Sequence, residues 1–310
     1  MRQLLSELNG HERGAPYLLL NLTENVVDHG DSALRDRRSQ HFLVSHAIVG
    51  TNQHPIRTVD FEKIEPRFEL ASAVAISGAA ASTAMGRISM PLAAPLFTLL
   101  NVRMGYWASN PGGARAGGWE WLRRAVGGLP GVLLAREMAS AFTRDAPKTY
   151  LSDGGHLENT GAYALLQRKA SVIVVFDHGA DPDWSFADLG TLIQMARIDL
   201  AVEIEIVPSR LRPDKDLRAE ANFVIGSITY PGEPGTRGTL VWVKAALART
   251  GPYDLIEYQS RHQTFPQETT ADQFFEEGQF EAYRAMGAHM AASALPEIWK
   301  AIGKPTEDAC

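Results

Sequence analysis

The sequence predicts an α/β fold built as one domain, on three observations. Short apolar runs of strand length recur: "PYLLLNL" (Pro16–Leu22), "SVIVVFD" (Ser171–Asp177), "AVEIEIV" (Ala201–Val207), "NFVIGSITY" (Asn222–Tyr230) and "TLVWVKAAL" (Thr239–Leu247). Segments of helical spacing alternate with them, and a helix–strand–helix–strand order around residues 156–207 predicts parallel pairing through a right-handed crossover. No internal repeat and no low-complexity linker divides the 310 residues, so 1–310 reads as a single domain.

Each element has its own signal. Ser171–Asp177 is apolar throughout, as expected of a strand covered on both faces. Ala201–Val207 alternates Val202, Ile204 and Ile206 with Glu203 and Glu205, the pattern of a strand with one wetter face. Between the last two strands "YPGEPGTRG" is dense in Gly and Pro and predicts a hairpin connection. After Gly155, Leu157, Tyr163, Leu165 and Leu166 stand near helical spacing. Ser185 and Asp188 form a capping-box pattern that starts a helix through Leu200. The stretch from Thr270 to Trp299 has the composition of one or two helices, with Thr270 or Asp272 as cap.

Composition narrows the function classes. With 45% hydrophobic and 21% charged residues the chain has ample material for a core. A formal charge of −6 argues against binding nucleic acid through a broad basic surface. The single cysteine, Cys310, excludes an internal disulfide framework and a Cys-rich metal site. The opening stretch, broken by Glu7, Asn9, His11, Glu12 and Arg13, does not read as a secretory signal. The most apolar window, Ile88–Tyr106, holds Pro91 and Pro95 and ends near Arg103. A buried connection is the reading preferred there over a lipid-contacting segment.

Four stretches are candidates for chemistry. In "TYLSDGGHLENTG" Asp153 closes a short apolar run and precedes Gly154 and Gly155. At the carboxyl end of a strand in an open sheet it would face the crevice where ligands bind and act as a general base. The same residues also describe an ordinary Asp-Gly turn or a helix cap. Ser77 lies in "ASAVAISGAAAS" among small residues. A nucleophile elbow needs Gly-x-Ser-x-Gly, and Ala75 and Ala79 stand where the glycines belong, so close backbone packing is the preferred role. "NPGGARAGG" (Asn110–Gly118) lacks the Lys-Ser/Thr of a phosphate loop and reads as a surface loop. Asp177, Asp181 and Asp183 lack the offsets and closing glutamate of a calcium loop, and the histidines form no zinc pair; no metal is expected.

Longer stretches resemble a known family. "YLSDGGHLENTGAYALLQRKASVIVVFDHGADPDWSFADLGTLIQMARIDL" resembles the later half of bacterial patatin-like phospholipases related to the group-IV cytosolic phospholipases. "ELASAVAISGAAASTAMG", "LNVRMGYWASNP" and "HQTFPQETTADQFFEEGQFEAYRAMGAH" resemble further segments in the same order. The resemblance implies a three-layer fold with a mostly parallel central sheet flanked by helices. It implies ester hydrolysis in lipids by a serine–aspartate dyad, without cofactor. The family's Asp-Gly-Gly motif falls on Asp153, with Gly154 and Gly155 beside the substrate. The family's Gly-x-Ser-x-Gly elbow and glycine-rich oxyanion loop have no counterpart, so the resemblance covers a C-terminal portion. A chain without nucleophile and oxyanion donors is expected to be inactive alone. The alternative is a non-catalytic lipid-binding or assembly subunit of the same fold. A lipid or other carboxylic ester substrate, a cytoplasmic location, peripheral membrane contact and a partner chain or homodimer covering a sheet edge at Pro16–Leu22 and Thr149–Asp153 complete the expectations.

Overall fold

The computed structural model describes residues 3–8, 14–26, 36–78, 105–112, 126–138, 142–144, 146–232, 236–269 and 274–303. The chain divides into two compact units, Met1–Gly161 and Ala162–Cys310.

Unit 1 holds a six-stranded sheet. Its strands are β1 (Leu19–Asn25), β2 (Ser39–Ser45), β3 (Ile48–Gly50), β4 (Pro55–Arg57), β5 (Tyr106–Ser109) and β6 (Lys148–Asp153), in the order β4-β3-β2-β1-β6-β5. Every pairing is antiparallel. Short connections account for β2 to β4, because a chain that reverses over a few residues can only lie antiparallel to itself. Helices α1 (Thr58–Ile64) and α2 (Leu70–Ser77) follow. One face of the sheet and these helices bury Leu22, Phe42, Val44, Val49, Leu151, Phe61, Phe68, Ala73 and Ile76 in a common core. Alternation in β1 and β6 puts Leu22 and Leu151 on that face and leaves Asn25 and Ser152 on the other. A helix α3 (Pro130–Met138) precedes β6.

Strands β1 and β6 lie inside the sheet, each flanked on both sides. Among the described residues the outer strands are β4 and β5. The edge expected at Pro16–Leu22 and Thr149–Asp153 is therefore not where the sequence placed it. The cause is two strands that the apolar-run pattern does not mark: β2, which pairs with β1 along Leu19–Asn25, and β5, which pairs with β6 from Tyr106↔Leu151 to Ser109↔Lys148.

Unit 2 holds a four-stranded sheet of β7 (Val172–Asp177), β8 (Glu203–Glu205), β9 (Phe223–Thr229) and β10 (Arg237–Lys244), in the order β7-β10-β9-β8. Only β7 and β10 run parallel; β9 pairs antiparallel with both β10 and β8. The mostly parallel central sheet is thus corrected to a mixed α/β fold with antiparallel pairing dominant. The parallel pairing expected through the crossover at residues 156–207 does not form: β7 and β8 run in the same direction across helix α5 (Ala187–Leu200), but β10 and β9 separate them. The hairpin at "YPGEPGTRG" is present, with Thr229 opposite Arg237.

Val241 and Val243 pack with helices α6 (Tyr253–Arg261) and α7 (Glu277–Ala301) through Leu255, Phe265, Met286 and Met290. Ile173, Val175, Leu240 and Trp242 point to the opposite face and are buried too. On β7 the expected two-sided cover is incomplete, since Phe176 stays 47% exposed at this edge strand. Helix α4 (Ala162–Gln167) packs on β7 and α5 on β8. The stretch after Thr270 forms one helix, α7, with Pro296 inside it and Glu276 at its N-cap; Thr270 and Asp272 lie outside the described residues. Residues 88–104 and 113–118, which hold most of the apolar window and of the glycine-rich loop, also lie outside them. Among the described residues no helix is long and apolar enough to cross a membrane.

Candidate active site

Asp153 is the last residue of β6 and the N-cap of a single 3-10 turn, Gly154–His156. Its Oδ1 accepts the Gly155 N–H at 2.7 Å, so the carboxylate closes the turn that follows it. Burial pushes the Asp153 carboxyl above the ordinary carboxylate range; the Gly155 N–H and the His156 charge work against that rise. The side chain is half-buried and belongs to a strand interior to the sheet. A carboxylate held at a strand end with partial access and a raised proton affinity is suited to general-base work.

The two glycines have different reasons. Gly154 lies against the backbone of β1, where a Cβ would collide with Asn21 O. At Gly155 a Cβ would meet Asn159 Oδ1 at 2.7 Å and Asp153 Oδ1 at 3.3 Å. Both positions are therefore set by close approach within the protein. The Asn21 carbonyl is a node of this region, because it also accepts the Ser77 hydroxyl at 2.8 Å from the end of α2.

Ser77 is tied to the backbone in this way, in line with the packing role read from Ala75, Gly78 and Ala79. Among the described residues no hydrogen bond joins it to Asp153. Helix α2 nonetheless packs on β1, on β6 and on the Gly154–His156 turn, so Ser77 and Asp153 belong to one neighbourhood.

On the sheet face away from the core, a polar chain stands behind the turn. Asn25 Nδ2 donates to Ser152 Oγ at 2.8 Å, and Ser152 Oγ lies 3.0 Å from His156 Nδ1. Thr23 Oγ1 donates to Gly154 O at 3.3 Å, and His41 Nε2 meets Asn21 Oδ1 at 2.7 Å. Ser152 is fully buried, with no surface open to a substrate. Sequence reasoning passed over these residues. The only local signal was the polar alternation Asn21, Thr23, Asn25 in a strand otherwise read as apolar.

Two further polar clusters do not include Asp153. In unit 1, Glu24 accepts from Thr149 Oγ1 at 2.5 Å and from Gln40 Nε2 at 2.6 Å. With His54, Asn110 and Arg144 it lines a small enclosed pocket, and burial pushes its carboxyl up. In unit 2, Asp177 and Lys244 sit side by side at the carboxyl ends of the parallel strands β7 and β10 and form an ion pair of 3.0 Å, both nearly fully buried. Lys244 Nζ also donates to Gly179 O at 2.8 Å, and Gly179 N–H donates to Asp177 Oδ1 at 3.0 Å. Burial lowers the neighbouring His178 ring's proton affinity. Asp181 binds the Ser185 N–H, the Ser185 hydroxyl and the Phe186 N–H. This corrects the capping box: Phe186, with φ 55°, is the N-cap of α5, and the Asp181 carboxylate supplies the acceptor.

No protein-family model matches the sequence, and no curated protein matches it. A solved structure of human GIVD cytosolic phospholipase A2 superposes with a TM-score of 0.52 at 14% identity, over 100% of this chain and 47% of the phospholipase chain. The fold is similar to that of a cytosolic phospholipase A2. At this identity the likeness concerns the fold, and the chain spans about half the phospholipase's length.

Proposed function

We propose that this chain carries the aspartate part of a lipid acyl hydrolase site, of the serine–aspartate kind found in patatin-like enzymes. The observation that carries the reading is Asp153: a half-buried carboxylate at the end of β6, on a Gly-Gly turn, in a phospholipase-like fold. In the reaction a serine Oγ attacks the ester carbonyl carbon and Asp153 takes the hydroxyl proton. The tetrahedral intermediate collapses, the alcohol leaves with that proton, and an acyl-serine remains. Water then attacks the acyl-serine, giving its proton to Asp153; the fatty acid leaves and the serine recovers its proton.

The sequence holds no Gly-x-Ser-x-Gly elbow. Among the described residues, Ser77 and Ser152 lie near Asp153 and neither suits the nucleophilic role, because Ser77 is bonded to Asn21 O and Ser152 is fully buried. The reading assigns the nucleophile and oxyanion donors to an elbow-bearing segment that acts with these residues, on this polypeptide or on another.

Fatty-acid release from phosphatidylcholine vesicles tests this, with the chain alone and joined to an elbow-bearing polypeptide, each as wild type and Asp153→Asn. The chain alone is expected to show neither turnover nor fluorophosphonate labelling. The joined form is expected to turn over and to lose about 100- to 10,000-fold in Asp153→Asn, the range of a general base. Unchanged joined activity in Asp153→Asn would remove Asp153 from the mechanism. Labelling of the chain alone, abolished in Ser77→Ala, would show that the chain has its own nucleophile. Vesicle binding without turnover in any form would favour a non-catalytic lipid-binding subunit.

A further inference from the structure

The two outer strands of the unit 2 sheet differ in what they offer a further strand. Strand β8 is three residues long, exposes Glu203 and Glu205, and is soon followed by Pro208. Short length, charge and proline all discourage another strand from pairing there. Strand β7 has none of these features. Its six residues, Val172–Asp177, are β-branched or aromatic up to Phe176, and neither proline nor charge interrupts Val172–Phe176. The register with β10 is continuous along the whole strand, so no bulge turns the edge aside.

The ladder shows which backbone groups of β7 face outward. Thr239 N–H donates to Ser171 O, and Ala245 N–H donates to Asp177 O. With Thr239 opposite Val172 and Val243 opposite Phe176, the parallel pairing engages Ser171, Ile173, Val175 and Asp177 toward β10. The N–H and C=O groups of Val172, Val174 and Phe176 therefore point away from the sheet. Among the described residues no backbone hydrogen bond reaches them. The side chains of the same three residues are accessible too: Phe176 is 47% exposed, and Val172 and Val174 are half-buried. An apolar strand with an open ladder edge is a template for one more strand.

We propose that this edge joins two copies of the chain, β7 of one running antiparallel to β7 of the other about a two-fold axis at Val174. In that register Val174 faces its own counterpart, and Val172 faces the partner's Phe176. Outward amides then meet outward amides, so Val172, Val174 and Phe176 each donate and accept. Across the new ladder a β-branched side chain lies beside an aromatic one, a favourable cross-strand pair. Charge selects the direction. Arg168 and Lys169 precede the strand, while Asp181 and the exposed Asp183 follow it. Antiparallel pairing sets the basic end of one strand beside the acidic end of the other; parallel pairing would set like charges together. Because the same patch serves on both copies, the contact closes and leaves no β7 edge for a third chain. The partner expected at Pro16–Leu22 and Thr149–Asp153 thus moves to β7, and nothing in the proposal depends on the acyl-hydrolase reading.

Sedimentation velocity of the 310-residue chain over a dilution series, with amide hydrogen exchange beside it, is the test. The chain is expected to sediment as a dimer that dissociates on dilution. The N–H groups of Val174 and Phe176 should be protected in the dimer and exchange fast in the monomer, while Ile173 and Val175 stay protected in both. Phe176→Lys charges the exposed edge and is expected to give a monomer with wild-type circular dichroism. Val174→Pro removes an outward N–H and spares the ladder to β10, and should be monomeric as well. Asp183→Lys is expected to weaken the dimer, and Lys169→Glu added to it to restore the affinity. A wild-type chain that stays monomeric at every concentration overturns the proposal. So does a monomer whose outward amides are protected, since another segment of the same chain would then cover the edge. A dimer that persists in folded Phe176→Lys places the contact elsewhere, and an Asp183→Lys dimer as tight as wild type rules out the antiparallel register. Open-ended aggregation in place of a dimer would refute the closed two-fold contact.

Discussion

Removing the amine of Lys244 is the sharpest probe of unit 2. Lys244 and Asp177 pair at 3.0 Å with side chains 2% and 3% exposed. At an effective dielectric of about 20, two unit charges at that distance attract by about 5.5 kcal/mol, most of which offsets their desolvation. Lys244→Met removes the attraction and leaves the desolvated carboxylate behind. Loss of one partner of a buried pair costs about 3–5 kcal/mol, a large share of the ~5–15 kcal/mol that holds a domain folded. Burial raises the Asp177 carboxyl's proton affinity in the fold even with Lys244 present. A group so raised contributes stability below its unfolded value, and that contribution is lost as pH rises through the folded value. The Lys244→Met deficit should therefore grow with pH across that window and shrink toward acid. Asp177→Asn added to Lys244→Met keeps an acceptor for the Gly179 N–H without the charge, and should recover most of the loss. Urea unfolding followed by circular dichroism and by the emission of buried Trp242 measures these differences. A deficit under about 1 kcal/mol, or one that Asp177→Asn deepens, would refute the reasoning.

Three other outcomes are expected. Asp153→Asn should raise the melting temperature at pH 7, because the fold penalises the charged carboxyl and asparagine can still accept the Gly155 N–H. That gain should vanish as pH falls to the unfolded value, where both side chains are neutral, and calorimetry across pH will show it. Gly154→Ala should cost about 1–3 kcal/mol, since a Cβ there collides with Asn21 O and β1 must move from the turn; chemical denaturation reads the loss. Asp181→Ala should cost about 1–2 kcal/mol, with amide exchange quickened at Ser185 and Phe186, which lose their acceptor.

Local pattern made several features legible. The strand runs at Ser171–Asp177 and Asn222–Tyr230 and the hairpin after Tyr230 are present within a few residues of their expected bounds. Alternation showed in Ala201–Val207, where Glu203 and Glu205 are exposed and Ile204 is buried. The Asp-Gly-Gly turn was also readable, because a carboxylate that binds an N–H two residues on is a local event. The capping box failed for the same kind of reason. Ser185 and Asp188 have the right spacing, but Asp181, four residues before Ser185, takes the Ser185 N–H that Asp188 would accept in a capping box and also draws the serine hydroxyl to itself as a donor.

The sequence alone determined where Asp153 sits on its strand, the turn it closes on Gly155, and that strands and helices alternate between residues 156 and 207. These depend on residues a few positions apart, whose interactions the chain makes wherever it folds. Only the tertiary structure decided which strands are neighbours. It paired β6 with β1 and with the unforeseen β5, and placed β10 and β9 between β7 and β8. It also brought Asn25 to Ser152 and Lys244 to Asp177, partners 127 and 67 positions apart. Hydrophobic alternation says which face of a strand is buried but not which strand lies beside it. That choice belongs to the burial of all the faces at once, and so do the polar contacts that follow from it.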